Sequence, residues 1–329
     1  MSHFGGAIAS DGELLLLEEP ESSSVFLFDL RDPTPIHVTT FGGAGPGPDR
    51  FGRISALFVD ASTQRALVAD VGHRRLGEFH LARDRSAPLR LDPFLATLRR
   101  SWDLVAWSDR VRALVGAAFD GVLEPVGFVR RDGALWTIDR RHGLLVELDE
   151  QLAPKRAVAT GLVGAAGLAL VGDGPTARFA TTLPDEGTVV LVDDAGTLLA
   201  RATGRTTDGD LGFVRPNAVA RMPDGSLVVT DAGRDAVFVV GADLAVTRRI
   251  GQRGASDGDL WMPQGVLPYA GAPTMHSDED GVPSPVAGPR FVVVDRGNHR
   301  AQIFQPDGAW LMTFGLGRSY TRPRERGAT

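Results

Sequence analysis

Short apolar runs of strand length recur along the whole chain, and the pattern around them repeats. Arg215–Asp231 is followed by Ala232–Val240, and the same grammar returns in Phe291–Gly315 and in Arg65–Phe79. It consists of an apolar strand, an Asp, a short polar turn and an alternating strand. A Gly or Asp-Gly turn and another strand ending in Gly then follow. Weaker copies fill the intervals. Ala134–Asp139 leads to Leu144–Leu148, Arg178–Thr182 to Thr188–Val192, and Glu13–Leu17 to Val25–Phe28. Aligning Asp70, Asp139, Asp231 and Asp295 places degenerate members of the column at Glu19 and Leu183, which makes six units.

Each unit supplies three or four short strands, so the period predicts an all-β fold: a six-bladed β-propeller of four-stranded antiparallel blades. One blade cannot bury both of its faces alone, but neighbours in a closed ring can. Six blades of about 40–50 residues occupy most of the 329 residues, so residues 1–329 read as a single domain. Two segments depart from the pattern. Residues 91–110 read as a helical insertion, with Asp92 and Pro93 as N-cap and first helical position and Phe94, Leu98, Trp102 and Val105 as the apolar stripe. Val111–Val115 reads either as a second short helix or as the outer strand of the second unit. Residues 270–289, with four prolines and the acidic Asp278–Asp280, read as an irregular loop insertion.

The motif Asp295-Arg-Gly-Asn-His-Arg300, with its closing Phe314-Gly315, resembles the signature of the NHL-repeat family of β-propellers. The Asn-His-Arg triplet is intact there, and the second unit has Gly72-His73-Arg74. The resemblance extends over nearly the whole chain and implies architecture rather than activity. A more distant similarity, to regucalcin and gluconolactonase-type propellers, lies in Arg215-Pro-Asn-Ala-Val219 followed by Pro223-Asp-Gly225. It implies a divalent cation such as calcium held in the central channel by Asn217. The matching positions of other blades are Gln264, Val126, Ser55 and Ala166, none of them acidic, and Glu124 lies two residues out of register. A hard cation wants oxygen ligands from carboxylates, so this register argues against a lactonase.

Composition narrows the rest. The chain has no Cys, which removes disulfides, thiolate metal sites and thiol catalysis. A net charge of −6, a single lysine (Lys155) and only 7% aromatic residues weigh against nucleic-acid binding. No apolar run reaches the roughly 18–20 residues of a membrane span, and no secretory signal is apparent. The expectation is a soluble cytoplasmic protein.

Candidate chemistry gathers in the Asp turns. The Asp column itself suits a structural role, accepting turn N–H groups and pairing with an Arg such as Arg75 or Arg300. His73, His142 and His299 fall on one face, too far apart on separate blades to share a metal. The glycines of Gly42–Gly47 lack a following Lys-Ser/Thr and read as a blade connection. The arginines Arg74, Arg75, Arg140, Arg141, Arg234, Arg296 and Arg300 share the face of the histidines and open the alternative of RNA binding there. With no converging acid–base set, the leading expectation is a non-catalytic scaffold, without a cofactor, for a protein or peptide partner. Its binding face would carry His73, Arg74, Arg140, His142, Arg234, Asn298, His299, Arg300 and Trp102. A metal-dependent lactonase or hydrolase built around Asn217 is the enzymatic alternative.

Overall fold

The apolar run before each Asp-type turn becomes the second strand of a four-stranded antiparallel sheet, and six such sheets stand around one axis. They are seen in a computed structural model that describes residues 7–315, apart from 20–21, 32–34, 61, 84–93, 117–118, 205–211, 270–274, 278–282 and 287. Blade 1 is β1 (Ile8–Ser10), β2 (Leu14–Glu19), β3 (Ser24–Asp29) and β4 (Ile36–Gly42). Blade 2 is β5 (Ile54–Asp60), β6 (Arg65–Asp70), β7 (Arg75–Arg83) and β8 (Phe94–Asp103), followed by α1 (Leu104–Val115). Blade 3 is β9 (Pro125–Arg131), β10 (Ala134–Asp139), β11 (Leu144–Leu148) and β12 (Pro154–Ala159). Blade 4 is β13 (Ala169–Val171), β14 (Arg178–Leu183), β15 (Thr188–Val192) and β16 (Leu198–Ala202). Blade 5 is β17 (Pro216–Arg221), β18 (Leu227–Asp231), β19 (Ala236–Val240) and β20 (Val246–Ile250). Blade 6 is β21 (Pro263–Pro268), β24 (Phe291–Asp295), β25 (Arg300–Phe304) and β26 (Trp310–Gly315), with the hairpin β22 (Met275–Ser277) and β23 (Pro283–Pro285) inserted after β21.

The continuous apolar runs follow from burial on both faces. In β2, Leu14 and Leu16 pack toward blade 2, whereas Leu15 and Leu17 pack toward blade 6. In β18, Leu227 and Val229 face blade 4, and Val228 faces blade 6. Six apolar clusters result, one between each pair of neighbouring blades. Among the described residues each blade is built from strands that follow one another in the chain, and the first and last blades meet through side-chain packing. Leu15, Leu17 and Phe28 of blade 1 meet Val292, Val294 and Phe314 of blade 6, with the Phe28 and Phe314 rings edge to face at 5.3 Å.

In the turn after the second strand, one position has the same backbone conformation in all six blades. The fourth residue beyond the Asp column is left-handed each time: Ser23, Arg74, Gly143, Gly187, Asp235 and His299. The degenerate positions therefore keep that left-handed residue; Leu183 has no carboxylate to offer the turn, whereas a Glu19 carboxylate oxygen accepts from Ser22 N at 2.6 Å.

The helical insertion at 91–110 is corrected by the structure. Phe94–Asp103 is the outer strand of blade 2, paired with β7, and the helix starts at Leu104. The proposed cap at Asp92 and Pro93 lies outside the described residues; Asp103 is the N-cap, its Oδ1 accepting from Val105 N at 2.7 Å. A bulge explains the mistaken period. The β7–β8 register shifts between Glu78 and Phe79, leaving Arg99 unpaired opposite them. Leu98 consequently packs into the blade 1–2 cluster and Trp102 into the blade 2–3 cluster. Strict alternation is lost, and apolar residues four apart imitate a helix. Val111–Val115, left between helix and strand, belongs to α1, which buries Leu104, Trp107, Ser108 and Val111 over the blade 2–3 junction. Within 270–289, the described part is not wholly irregular but forms the β22–β23 hairpin; the acidic Asp278–Asp280 lies outside the described residues.

Closure by packing sets an expectation for stability. Leu17→Ala, at the fully buried blade 1–6 junction, should cost about 2–5 kcal/mol in urea unfolding. Leu198→Ala, at a position 47% exposed, should stay within about 0.5 kcal/mol. Equal effects of the two would show that the junction does not hold the ring.

Candidate functional site: the hub and the Asp-turn face

The Asp column is internal bracing. Asp231 is fully buried and accepts from four backbone amides: Val214 at 2.8 Å, Arg215 at 2.9 Å, Gly233 at 2.9 Å and Arg234 at 3.1 Å. Two of these lie just before the innermost strand and two in the turn, so one carboxylate ties both segments together. Asp70 does the same for Gly52, Arg53 and His73, and Asp139 for Glu124 and His142. The approach is close enough to require glycine. A Cβ on Gly72 would lie 2.4 Å from Arg53 N, and one on Gly297 2.6 Å from the Trp261 carbonyl oxygen.

Most side chains expected on the binding face take part in this bracing. His73 Nδ1 lies 2.7 Å from Asp70 Oδ2, and His142 Nδ1 2.7 Å from Asp139 Oδ2. His142 Nε2 also donates to the Asp120 carbonyl. Asn298 Nδ2 donates to Asp295 and to the Gly254 carbonyl. Arg300 donates to Asp295 at 2.8 Å and to the carbonyls of Ala255, Ser256 and Asp259. Arg75 clamps the Gly47 and Arg50 carbonyls in the matching loop of blade 2, which includes the glycine-rich Gly42–Gly47. Arg234 donates to the Gly212 carbonyl at 3.1 Å. Arg74 and His299 are exposed at the left-handed positions of their turns. Trp102 is half-buried at the rim, with the Arg100 guanidinium 5.2 Å from its ring centre.

Arg140 belongs elsewhere. Together with Arg215 it lines a cavity of about 380 Å³ along the axis. Five side chains from the inner register, Ser55, Val126, Ala166, Asn217 and Gln264, line it as well. In four blades the innermost strand changes register at this level: at Ser55, at Val126 and Gly127, at Asn217, and at Gln264 and Gly265. A bulge rotates the unpaired residue away from the ladder, which here aims it at the axis. Asn217 Nδ2 donates to Gln264 Oε1 at 3.0 Å across the blade 5–6 junction. Ser55 Oγ donates to the Pro125 carbonyl at 2.5 Å across the blade 2–3 junction.

Two residues upstream of this ring lies a charged tier. Arg53, Glu124 and Arg215 precede Ser55, Val126 and Asn217 by the same interval, and Arg53 pairs with Glu124 at 3.2 Å. Arg140 sits among them. Burial lowers its pKa first of all; Asp185 and Glu124 oppose that shift, while Arg53 and Arg215 add to it. The signal for this tier was the two-residue offset already visible at Glu124.

The cation reading of Asn217 does not fit this setting. A calcium-type ion needs several oxygen ligands, preferably anionic. The other four side chains at the level of Asn217 carry no carboxylate, and Arg140 and Arg215 line the same cavity. Among the described residues, no group of three or more His, Asp or Glu side chains is placed to hold a metal. No helix among them is long and apolar enough to cross a membrane.

Comparison with known proteins places the architecture. No protein-family model and no curated protein sequence matches the chain. Solved structures do. The selenomethionine-substituted virginiamycin B lyase from Staphylococcus aureus aligns with a TM-score of 0.55 at 10% identity, over 97% of this chain and 86% of that one. A streptogramin B lyase aligns at 0.55 and 11%, over 96% and 84%. The WD40 propeller domain of Doa1 aligns at 0.52 and 11%, over 96% and 84%. At these identities the likeness concerns the fold: the chain is a six-bladed β-propeller with four-stranded antiparallel blades and, among the described residues, one α-helix.

The buried carboxylates give a pH signature. Burial raises Asp139 and Asp231 above their ordinary value of 3.8, against the pull of their amide donors. The folded state therefore binds these protons more tightly than the unfolded state does. Their contribution is full below the unfolded value near 3.8 and is lost as pH rises through the folded values. Asp231→Asn cannot titrate, so its stability deficit relative to the parent should be larger at acid pH and narrow toward neutrality. Urea unfolding of both proteins across pH measures this; a deficit that widens with rising pH contradicts it. Asp231→Ala should cost about 2–4 kcal/mol, because four amides lose their acceptor.

Proposed function

We propose that the chain is an NHL-type propeller that works as a non-catalytic scaffold, presenting its Asp-turn face to a protein or peptide partner. The observation that carries this reading is the apolar exposure of the loops leading into β17 and β21. Val214 is 47% exposed, Trp261 41% and Met262 42%. All three lie on the same face as the Asp turns, beside an inner strand that begins one or two residues later. Large apolar side chains held on a rigid loop are suited to anchoring a partner, because little conformational freedom remains to be lost. Trp261 is held in this way. Its amide donates to Asp295 at 2.7 Å, its ring packs against Gly297, and Arg253 lies 5.7 Å from its centre.

The bracing described above also bears on the choice. Arginines committed to carbonyls and carboxylates are poorly placed to neutralise phosphates, and Arg300 is committed four times over. That favours an apolar protein contact over RNA on this face.

A photo-crosslinking side chain at Met262 should trap one defined protein in cells. The same group at Asp224, in the β17–β18 turn of the opposite face, should not. Trp261→Ala should weaken binding of that protein by about tenfold or more. Equal trapping at both positions, or none at Met262, overturns the scaffold reading.

A further inference from the structure

The axial cavity stands apart from the exposed loops, and its chemistry points to a different kind of ligand. Its volume of about 380 Å³ falls within the roughly 300–1,000 Å³ of small-molecule sites. Its polar groups are not scattered: Arg140 and Arg215 occupy one level, and Asn217 and Gln264 the next. Beyond them the lining includes the apolar Phe58, Phe128 and Leu168 together with Ser10, Glu18 and Arg130.

Each level leaves a specific capacity unused. The Asn217–Gln264 bond uses one donor and one acceptor. Asn217 Oδ1 and Gln264 Nε2 remain as an adjacent acceptor and donor with no partner among the described residues. Such a pair matches a hydroxyl or amide group. On the charged level, Glu124 and Asp185 lie near Arg140 together with the like-charged Arg53 and Arg215. Glu124 is already paired with Arg53. The Arg215 guanidinium has no ion pair among the described residues.

We infer that the central cavity binds a small organic anion, its carboxylate or phosphate held between Arg140 and Arg215 and its uncharged body against Asn217, Gln264 and the apolar part of the lining. Two guanidiniums converging on one opening offer the planar donor forks that carboxylates and phosphates accept in pairs. An anion between them removes the repulsion that Arg215 exerts on Arg140 and replaces solvation that Arg140 loses through burial. This site is independent of the proposed partner surface, since neither Trp261 nor Met262 lines the cavity.

Calorimetric titration of the full-length protein at low salt tests the inference, with gluconate and citrate as carboxylate probes and inorganic phosphate and glucose 6-phosphate as phosphate probes. At least one probe should bind saturably at one site per chain. Arg140→Gln and Arg215→Gln should each weaken it by about tenfold or more. Arg178→Gln, an exposed arginine away from the cavity, should leave binding unchanged. Because a half-buried arginine can matter for folding, Ala166→Phe provides a separate arm: it fills the cavity without touching a charge and should abolish binding. No saturable binding by any of the four probes overturns the inference, as does binding that survives Ala166→Phe or both arginine substitutions. Which probe class binds identifies the anion as a carboxylate or a phosphate.

Discussion

The structure depends on the mutual burial of sheet faces between neighbouring blades. No blade has a core of its own: each buries alternate residues of its middle strands against the blade on either side. At about 25 cal/mol per Å² of apolar surface, such contacts reward only a closed arrangement, since an open array would leave two faces wet. Among the described residues, closure uses no shared strand. Among those same residues, the contact of Leu15, Leu17 and Phe28 with Val292, Val294 and Phe314 lies at the centre of the junction between the first blade and the last. Six inner strands then face one axis, and that ring of strands creates the cavity.

Bracing at the Asp turns solves a second problem. The segment entering each innermost strand must be held at a defined height, or the hub residues would not meet. Asp70, Asp139, Asp231 and Asp295 hold it by accepting backbone amides from that segment. Arg75 and Arg300 extend the same bracing outward to the interblade loops. The conspicuous charged motif thus does structural labour, and the Arg215 side chain takes no part in it.

Two surfaces of different character follow. On the Asp-turn face, apolar side chains project from braced loops. Along the axis, bulged residues and two arginines line one cavity. Geometry separates them: the first is broad and open and suits a macromolecule, whereas the second is narrow and suits a small molecule.

Much of this was written in local patterns. The number of blades, the Asp column, the turn shared even by Glu19 and Leu183, and the hub register of Ser55, Val126, Ala166, Asn217 and Gln264 follow from short-range alternation and turn chemistry. Such signals survive in sequence because they act over a few residues. A bulge at Arg99 was enough to disguise β8 as a helix, since one unpaired residue reverses every side chain beyond it. Convergence was decided by tertiary structure alone. Arg140 follows an Asp turn and looked like a surface arginine, whereas Arg215 precedes a strand 75 positions further along the chain. Only the closed ring, by bending distant strands toward one axis, sets both against the same opening.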